Sequence, residues 1–592
     1  MSDPSSPKRI VSMDQFRGYT VAGMFVVNFL ASFGAIHALF KHNNTYFSFA
    51  DSIMPSFMFA VGFSFRLTYL RRVVQAGYWP TVRSYVRRSI ALVVVSLVMY
   101  GFGSTFQHWA DFSTMPAEFE PFRPKAPRTR SFDELVVKAR KANPKGDERT
   151  ILSQASQMGA AILEPGSEQP QEGSSAWRAR QAAEIVDQEE ADFVGAAVRR
   201  MQNWRALTPG QQMLVHLRIA VGKLLKQDLW ETLAIIGATQ LVVLAFINRG
   251  FWARFAVLIA LGGAHLALSY WFNWDFVYGI NDNWMSQAWM TGSGRSWDGG
   301  FFGPLCWAVA MLAGTLAYDL VQTAASNWNA AARLIVWGAA FMAVGYGMSC
   351  LSRVYDVPGD QLEARRLQWM RYEAERNWLG QLEKLQKDRL DKLNERRARL
   401  KERRERLNQP APPQYDPEID LVVANLQALS DQKNAYPVLE LADNPVIPSW
   451  DQIVSKSWRE LLVEPPFVAP PRDNPAVDPQ PGIEHRLQNY WMLGKRMPNL
   501  SFITFASGFA FALYGVFVIV CDIGGLTIGL FRTFGTNALA AYFLHHVVHE
   551  SVKPLVPDDS HLWYCLGGFA LFFLLTYACV RFLEQHKIYV KL

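Results

Sequence analysis

The chain alternates between two kinds of sequence that cannot share one solvent. Some stretches of about 18–24 residues are almost wholly apolar, long enough to cross a hydrocarbon core of about 30 Å as helices. Others are charged and proline-rich. Lipid offers no partner to backbone polar groups, so such stretches must fold as helices. The totals hide this contrast: 50% of the 592 residues are hydrophobic, yet mean hydropathy is only +0.01.

Ten spans follow, at about 16–36, 49–70, 90–107, 230–248, 253–273, 300–322, 332–351, 500–521, 525–548 and 562–583. They predict an all-α fold, a polytopic membrane helical bundle of about ten transmembrane helices with two large, partly helical extracytoplasmic insertions. Residues 1–107 form the first transmembrane part, 108–229 an insertion, 230–351 the central transmembrane part, 352–499 the second insertion and 500–592 the last transmembrane part. Asp522, Gly524, Gly525 and the RTFGTN stretch interrupt the ninth span, which reads as a broken or re-entrant helix. Short loops rich in Lys and Arg stay cytoplasmic. Arg71, Arg72, Arg83, Arg87 and Arg88 mark such a loop, which puts both termini in the cytoplasm and both insertions outside. The first apolar run lacks a small-residue cleavage site and reads as a retained helix. The expected setting is a bacterial cytoplasmic (inner) membrane, with the lipid bilayer as the first partner.

The net charge of +7 is concentrated. Residues 361–408 hold 15 Lys and Arg against 9 Asp and Glu, so the basic balance belongs to one segment and nothing points to nucleic acid. The five cysteines lie in or beside apolar runs without CxxC spacing, which argues against a disulfide framework or a zinc site. The segment Gln361–Leu407 reads as one long charged helix. Leu393, Leu400 and Leu407 recur every seven residues, with Leu379, Leu382, Leu385 and Leu390 beside them. That pattern fits a coiled coil, a helix packed on the other insertion, or a single solvated helix.

Polar groups in and beside apolar runs are functional-site hypotheses, because hydrocarbon penalises them. His42 lies in the polar loop between the first two spans. An imidazole there can move a proton or take an acyl group, or be an ordinary interfacial histidine. Asp51, nine residues on, can orient that imidazole or favour a helix N-terminus. Asn28 can polarise a carbonyl or bond another helix. Asp14 and Arg17 can pair, or Arg17 can meet a phosphate. His545 and His549 stand four apart, as a metal pair would, but no third ligand has recognisable spacing, so no metal is assigned. Gly300, Gly303 and Gly314 permit close approach by a helix or a ligand.

Four stretches taken in order resemble the heparan-α-glucosaminide N-acetyltransferase family of transmembrane acyltransferases: DQFRG at 14–18 with Asn28; FKH at 40–42 followed by ADxxxPxFxFxxG at 50–62, which contains Asp51; the Gly300/Gly303/Gly314 pattern; and GTNALAAYFLH at 535–545. The resemblance implies a membrane enzyme that takes the acetyl group of cytoplasmic acetyl-CoA, as donor substrate, to an amine or hydroxyl of an extracytoplasmic sugar or glycan. It implies His42 as the catalytic histidine, with Asn28, Asp51 and His545 around it. Arg17, Arg66, Gly300 and Gly303 are the candidate CoA contacts. Many relatives carry a Gln-Arg pair in span four where this chain has Ala234 and Ile235. The insertions offer docking ground for a protein partner. The alternatives are a non-catalytic assembly subunit on a degenerate acyltransferase scaffold, or a solute transporter.

Overall fold

The computed structural model describes residues 10–43, 45–101, 112, 114–116, 118–120, 130–163, 191–280, 284–290, 295–410, 416–435, 441–442, 444–468, 486–495 and 497–590. Regular structure among the described residues is helical. Beyond it there are two isolated bridges, Asp356 to Arg486 and Leu441 to Gln488. The longer helices are α1 (Val11–Leu30), α2 (Phe49–Ala76), α3 (Tyr78–Ser96), α4 (Arg130–Ala142), α5 (Glu148–Leu163), α6 (Ala191–Ala206), α7 (Pro209–Lys226), α8 (Thr232–Leu244), α9 (Phe251–Tyr278), α10 (Gly303–Gln322), α11 (Asn327–Ser349), α12 (Leu362–Arg406), α13 (Pro417–Ala435), α14 (Leu500–Phe517), α15 (Gly529–Thr536), α16 (Ala538–Val552) and α17 (Leu562–Gln585).

Six helices among the described residues, not ten, have the length and apolarity of a membrane span: α2, α9, α10, α11, α14 and α17, counted with their short helical extensions. The difference has local causes. Ser12, Asp14, Gln15 and Arg17 dilute the apolar character of α1. The third expected span is helical to Gly101, and residues 102–107 lie outside the described residues. α8 has only 13 residues. The ninth span is broken at Asn537, which leaves helical geometry (φ −127°, ψ 46°) between α15 and α16. Many apolar side chains on the outer faces are exposed, among them Trp252, Val336, Val344, Leu574 and Phe582. In water each would forfeit about 25 cal/mol per Å² of apolar surface; in lipid it is at home.

α10 is the central helix, with Cys306, Trp307, Ala308, Ala310, Met311, Leu312 and Ala313 fully buried. It meets α2 at a contact only glycine permits: a Cβ on Gly62 would stand 1.9 Å from the Met311 carbonyl oxygen, and one on Gly314 2.0 Å from that of Phe59. Small residues at crossings let membrane helices approach closely. A charged cluster ties the same region, with Arg254 donating to Asp319 and to Thr315 (2.6 Å), and Arg66 to the Ile247 carbonyl.

The two insertions share cores. Phe132, Leu135, Ile151 and Leu152 of the first pack on Trp378, Leu379 and Leu382 of the second. Ala197 and Met201 pack on Ala424. Arg200 is buried and paired with Asp431, and Arg371 bonds Asp133. Of the three packings the long helix permitted, its first half takes docking on the other insertion. The heptad leucines do not join in: Leu400 and Leu407 are 45% and 57% exposed.

Candidate active site

His42 lies in the loop between α1 and α2, and its surroundings begin with a helix cap. Ser48 precedes α2, and its hydroxyl accepts the Asp51 backbone N–H, while the Asp51 carboxylate takes the Ser48 N–H in return. Such a capping box satisfies donors that a helix start leaves unpaired. The Asp51 Oδ2 atom accepts from Ser48 Oγ (2.7 Å), Ser48 N (3.1 Å) and Asn43 N (3.3 Å). Its Oδ1 lies 2.9 Å from His42 Nδ1. Asp51 is fully buried, so this fully satisfied carboxylate both caps α2 and orients the imidazole. An ionised carboxylate only accepts; His42 therefore carries its proton on Nδ1 and presents a lone pair at Nε2. Partial desolvation of the ring, which stays 39% exposed, and the nearby Lys495 ammonium push the His42 pKa below the ordinary 6.5, against the opposing pull of Asp51 and Asp298.

A second histidine site is built on α1 and α16. His545 is buried, and its Nδ1 donates to the Tyr542 carbonyl at 2.5 Å. Its Nε2 then accepts from Asn28 Nδ2, 3.4 Å away. Phe25 stacks on the ring with centroids 5.0 Å apart. Asn28 is exposed, and α1 ends at Leu30, so this asparagine sits in the last turn and not deep in a span.

Among the described residues, no direct hydrogen bond joins the His42 pair to the His545 pair. Tyr100 and Tyr542 bond through their hydroxyls at 3.2 Å.

A cavity of about 210 Å³ opens among α1, α2, α3, α8 and α16. Its lining is apolar apart from a few groups, chiefly Arg17, Arg88, Gln240 and the hydroxyls of Thr68, Tyr85 and Tyr542. Met24 lines it one turn before Asn28 on α1, and Tyr542 lines it one turn before His545 on α16, so two lining stripes lead in helical steps toward that pair. His42 does not line it.

Of the candidate CoA contacts, Arg17 lines the cavity and Arg66 does not. Gly300 and Gly303 are elsewhere too. Asp298, Gly299 and Gly300 all have positive φ (40°, 90° and 61°), and a Cβ on Gly303 would stand 2.5 Å from the Asp298 carbonyl oxygen. These glycines shape the tight turn that carries Asp298. Ala234 and Ile235 of α8 are fully buried. His549 meets Glu550 at 3.4 Å, and the described residues hold no group of three or more His, Cys, Asp or Glu placed to bind a metal. All five cysteines are free.

Of the cations the sequence offers for the CoA side, Arg17, Arg66 and the Arg87/Arg88 pair, Arg17 and Arg88 line the cavity; sequence reasoning missed Lys495 and Asp298 beside His42. Ser48 was readable, since S-x-x-D before an apolar run signals a capping box. Lys495 was not, because 453 residues separate it from His42. No curated protein matches the chain. Residues 9–108 match the family model described as heparan-alpha-glucosaminide N-acetyltransferase, catalytic, and over this segment, which carries Arg17, Asn28, His42, Asp51 and Arg88, the chain is similar to that family.

Proposed function

We propose that the chain is a transmembrane acetyltransferase that moves the acetyl group of cytoplasmic acetyl-CoA to an amine or hydroxyl of a sugar or glycan on the opposite face. The observation that carries this reading is the His42–Asp51 pair at 2.9 Å inside the family-matching segment. His42 Nε2 is the reactive atom. As general base it takes the proton of the acceptor N–H or O–H while the thioester C–S bond breaks and a C–N or C–O bond forms; the proton then passes to the CoA thiolate. As nucleophile it would carry the acetyl group between the two substrates. Asp51 holds the ring and stabilises its cationic form in either course.

The donor side fits the cavity by chemistry and size. About 210 Å³ falls below the 300–1,000 Å³ of a pocket that encloses a whole drug-sized ligand, but suits the slender acyl-thiol arm of CoA. Arg17 and Arg88 offer guanidinium groups to its phosphates. Asn28 and His545 stand one turn beyond the lining stripes, with Asn28 as amide donor toward a developing oxyanion and His545 as a second acid/base group.

The test is purified protein with acetyl-labelled CoA and a panel of amino sugars and glycans, reading CoA release and label transfer. The wild type should release CoA with a matching acceptor, and His42→Ala should not. Absence of acetyl-enzyme and of CoA release, with cellular glycans unchanged in His42→Ala, would overturn the reading. A stoichiometric protein partner recovered in that case would favour the assembly-subunit alternative.

A further inference from the structure

The second insertion reaches back to the histidine of the first loop. Its segment Arg486–Lys495, shortly before α14 in the sequence, is fastened along its length. Arg486 bonds Asp356 (2.5 Å) and Glu464 (3.1 Å). Tyr490 is fully buried, with its hydroxyl 2.9 Å from His265 Nδ1. Trp491 Nε1 donates to the Val446 carbonyl at 3.0 Å, and Asn499 donates to that of Met492 at 2.6 Å. Lys495 emerges from this anchored stretch with its Nζ 3.4 Å from His42 Nε2 and 3.8 Å from Asp298 Oδ1. The turn Asp298–Gly300, with its three positive φ angles, delivers the carboxylate.

The donor inventory leaves one arrangement. Asp51 takes the Nδ1 proton, so Nε2 is an acceptor, and a lysine ammonium has donors only. We propose that Lys495 is a positioning residue for His42: its ammonium donates to Nε2, holds the Nδ1–H tautomer from the side opposite Asp51, and keeps the ring neutral, while Asp298 steadies the ammonium. The inference rests on His42 as the reactive group of the proposed function. It assigns part of the site to a residue well outside the family-matching segment 9–108.

The charged groups acting on His42 come from three elements: Asp51 from α2, Lys495 from the anchored segment and Asp298 from the turn before α10. The carboxylates favour the imidazolium; the ammonium and burial oppose it. A neutral ring is the form that accepts a proton or an acyl group, so Lys495 extends the working range toward acid. Its four-carbon stem is flexible, and rotation toward Asp298 uncovers Nε2 for an acceptor.

The experiment reads the imidazole directly. Full-length protein in detergent is treated with diethyl pyrocarbonate, which acylates imidazole only in its neutral form, over a pH series, and modification of His42 is followed by peptide mass spectrometry. In the wild type the midpoint should lie below that of an ordinary histidine. Lys495→Met keeps the chain length and removes the charge, and its midpoint should rise by about one pH unit or more. Lys495→Arg keeps the charge and should stay near the wild type. An unmoved midpoint in Lys495→Met, or equal shifts in Met and Arg variants, overturns the inference. This readout needs no acetyl transfer, so a shifted midpoint in a protein that releases no CoA upholds the role of Lys495 while rejecting the proposed function.

Discussion

Asp51→Asn is the sharpest single perturbation of the site. The substitution keeps shape and volume but makes one oxygen an amide NH₂. Three donors, Ser48 Oγ, Ser48 N and Asn43 N, converge on Oδ2 at 2.7–3.3 Å, so the amide carbonyl must occupy that position. The NH₂ then takes the place of Oδ1 and faces His42 Nδ1 at 2.9 Å. Nδ1 must become an acceptor, the ring proton moves to Nε2, and the reactive lone pair is lost; the new N–H also meets the Lys495 ammonium, donor against donor. A hydrogen bond to a charged group contributes about 1.5–3 kcal/mol, roughly tenfold to 150-fold in rate. In the serine hydrolase triad, where the same change imposes the wrong tautomer, the loss is about 10⁴. The expected loss of CoA release is therefore between about tenfold and about 10⁴-fold, with the cap of α2 retained. The assay is initial-rate CoA release, with detergent-phase elution and thermal unfolding as fold controls. A folded Asp51→Asn protein within about threefold of wild-type activity would refute the tautomer argument.

Further outcomes follow from the same geometry. Arg88→Ala, at the cavity, should raise the KM for acetyl-CoA while leaving His42 carbethoxylation unchanged. Asn28→Leu removes the donor to His545 Nε2 and should lower kcat about tenfold, as for one hydrogen bond of about 1.4 kcal/mol, with KM for the donor little altered. Leu379→Ala, in the core shared by the insertions, should destabilise that body by about 2–5 kcal/mol, seen as faster limited proteolysis of residues 130–163. Gly314→Val places side-chain atoms where the Phe59 carbonyl lies, and should abolish recovery of folded protein from membranes.

The apolar run lengths announced a helical membrane protein, and the loop between the first two runs announced its histidine. The number of spans was less legible. Hydropathy does not say where a helix stops: α1 runs 20 residues but carries polar groups in its first turns, α8 has only 13 residues, and Asn537 breaks α15 from α16. The carboxylate that serves His42 was visible because it lies nine residues away, in the next helix start. The meaning of Gly300 and Gly303 was not, since a glycine that frees a turn and one that admits a ligand look alike in sequence.

The sequence by itself determined the apolar spans and the helical class, and put His42 and Asp51 near enough along the chain to pair. These depend on run length and on a helix cap, interactions of short range along the chain. Only the tertiary structure decided that the two insertions share one core and that Arg17 and Arg88 face one cavity. It also decided that Lys495 and Asp298 complete the surroundings of His42. Those juxtapositions join residues hundreds apart, and they are fixed by packing of the central helix and by buried anchors such as Tyr490 and Arg486, which no local pattern encodes.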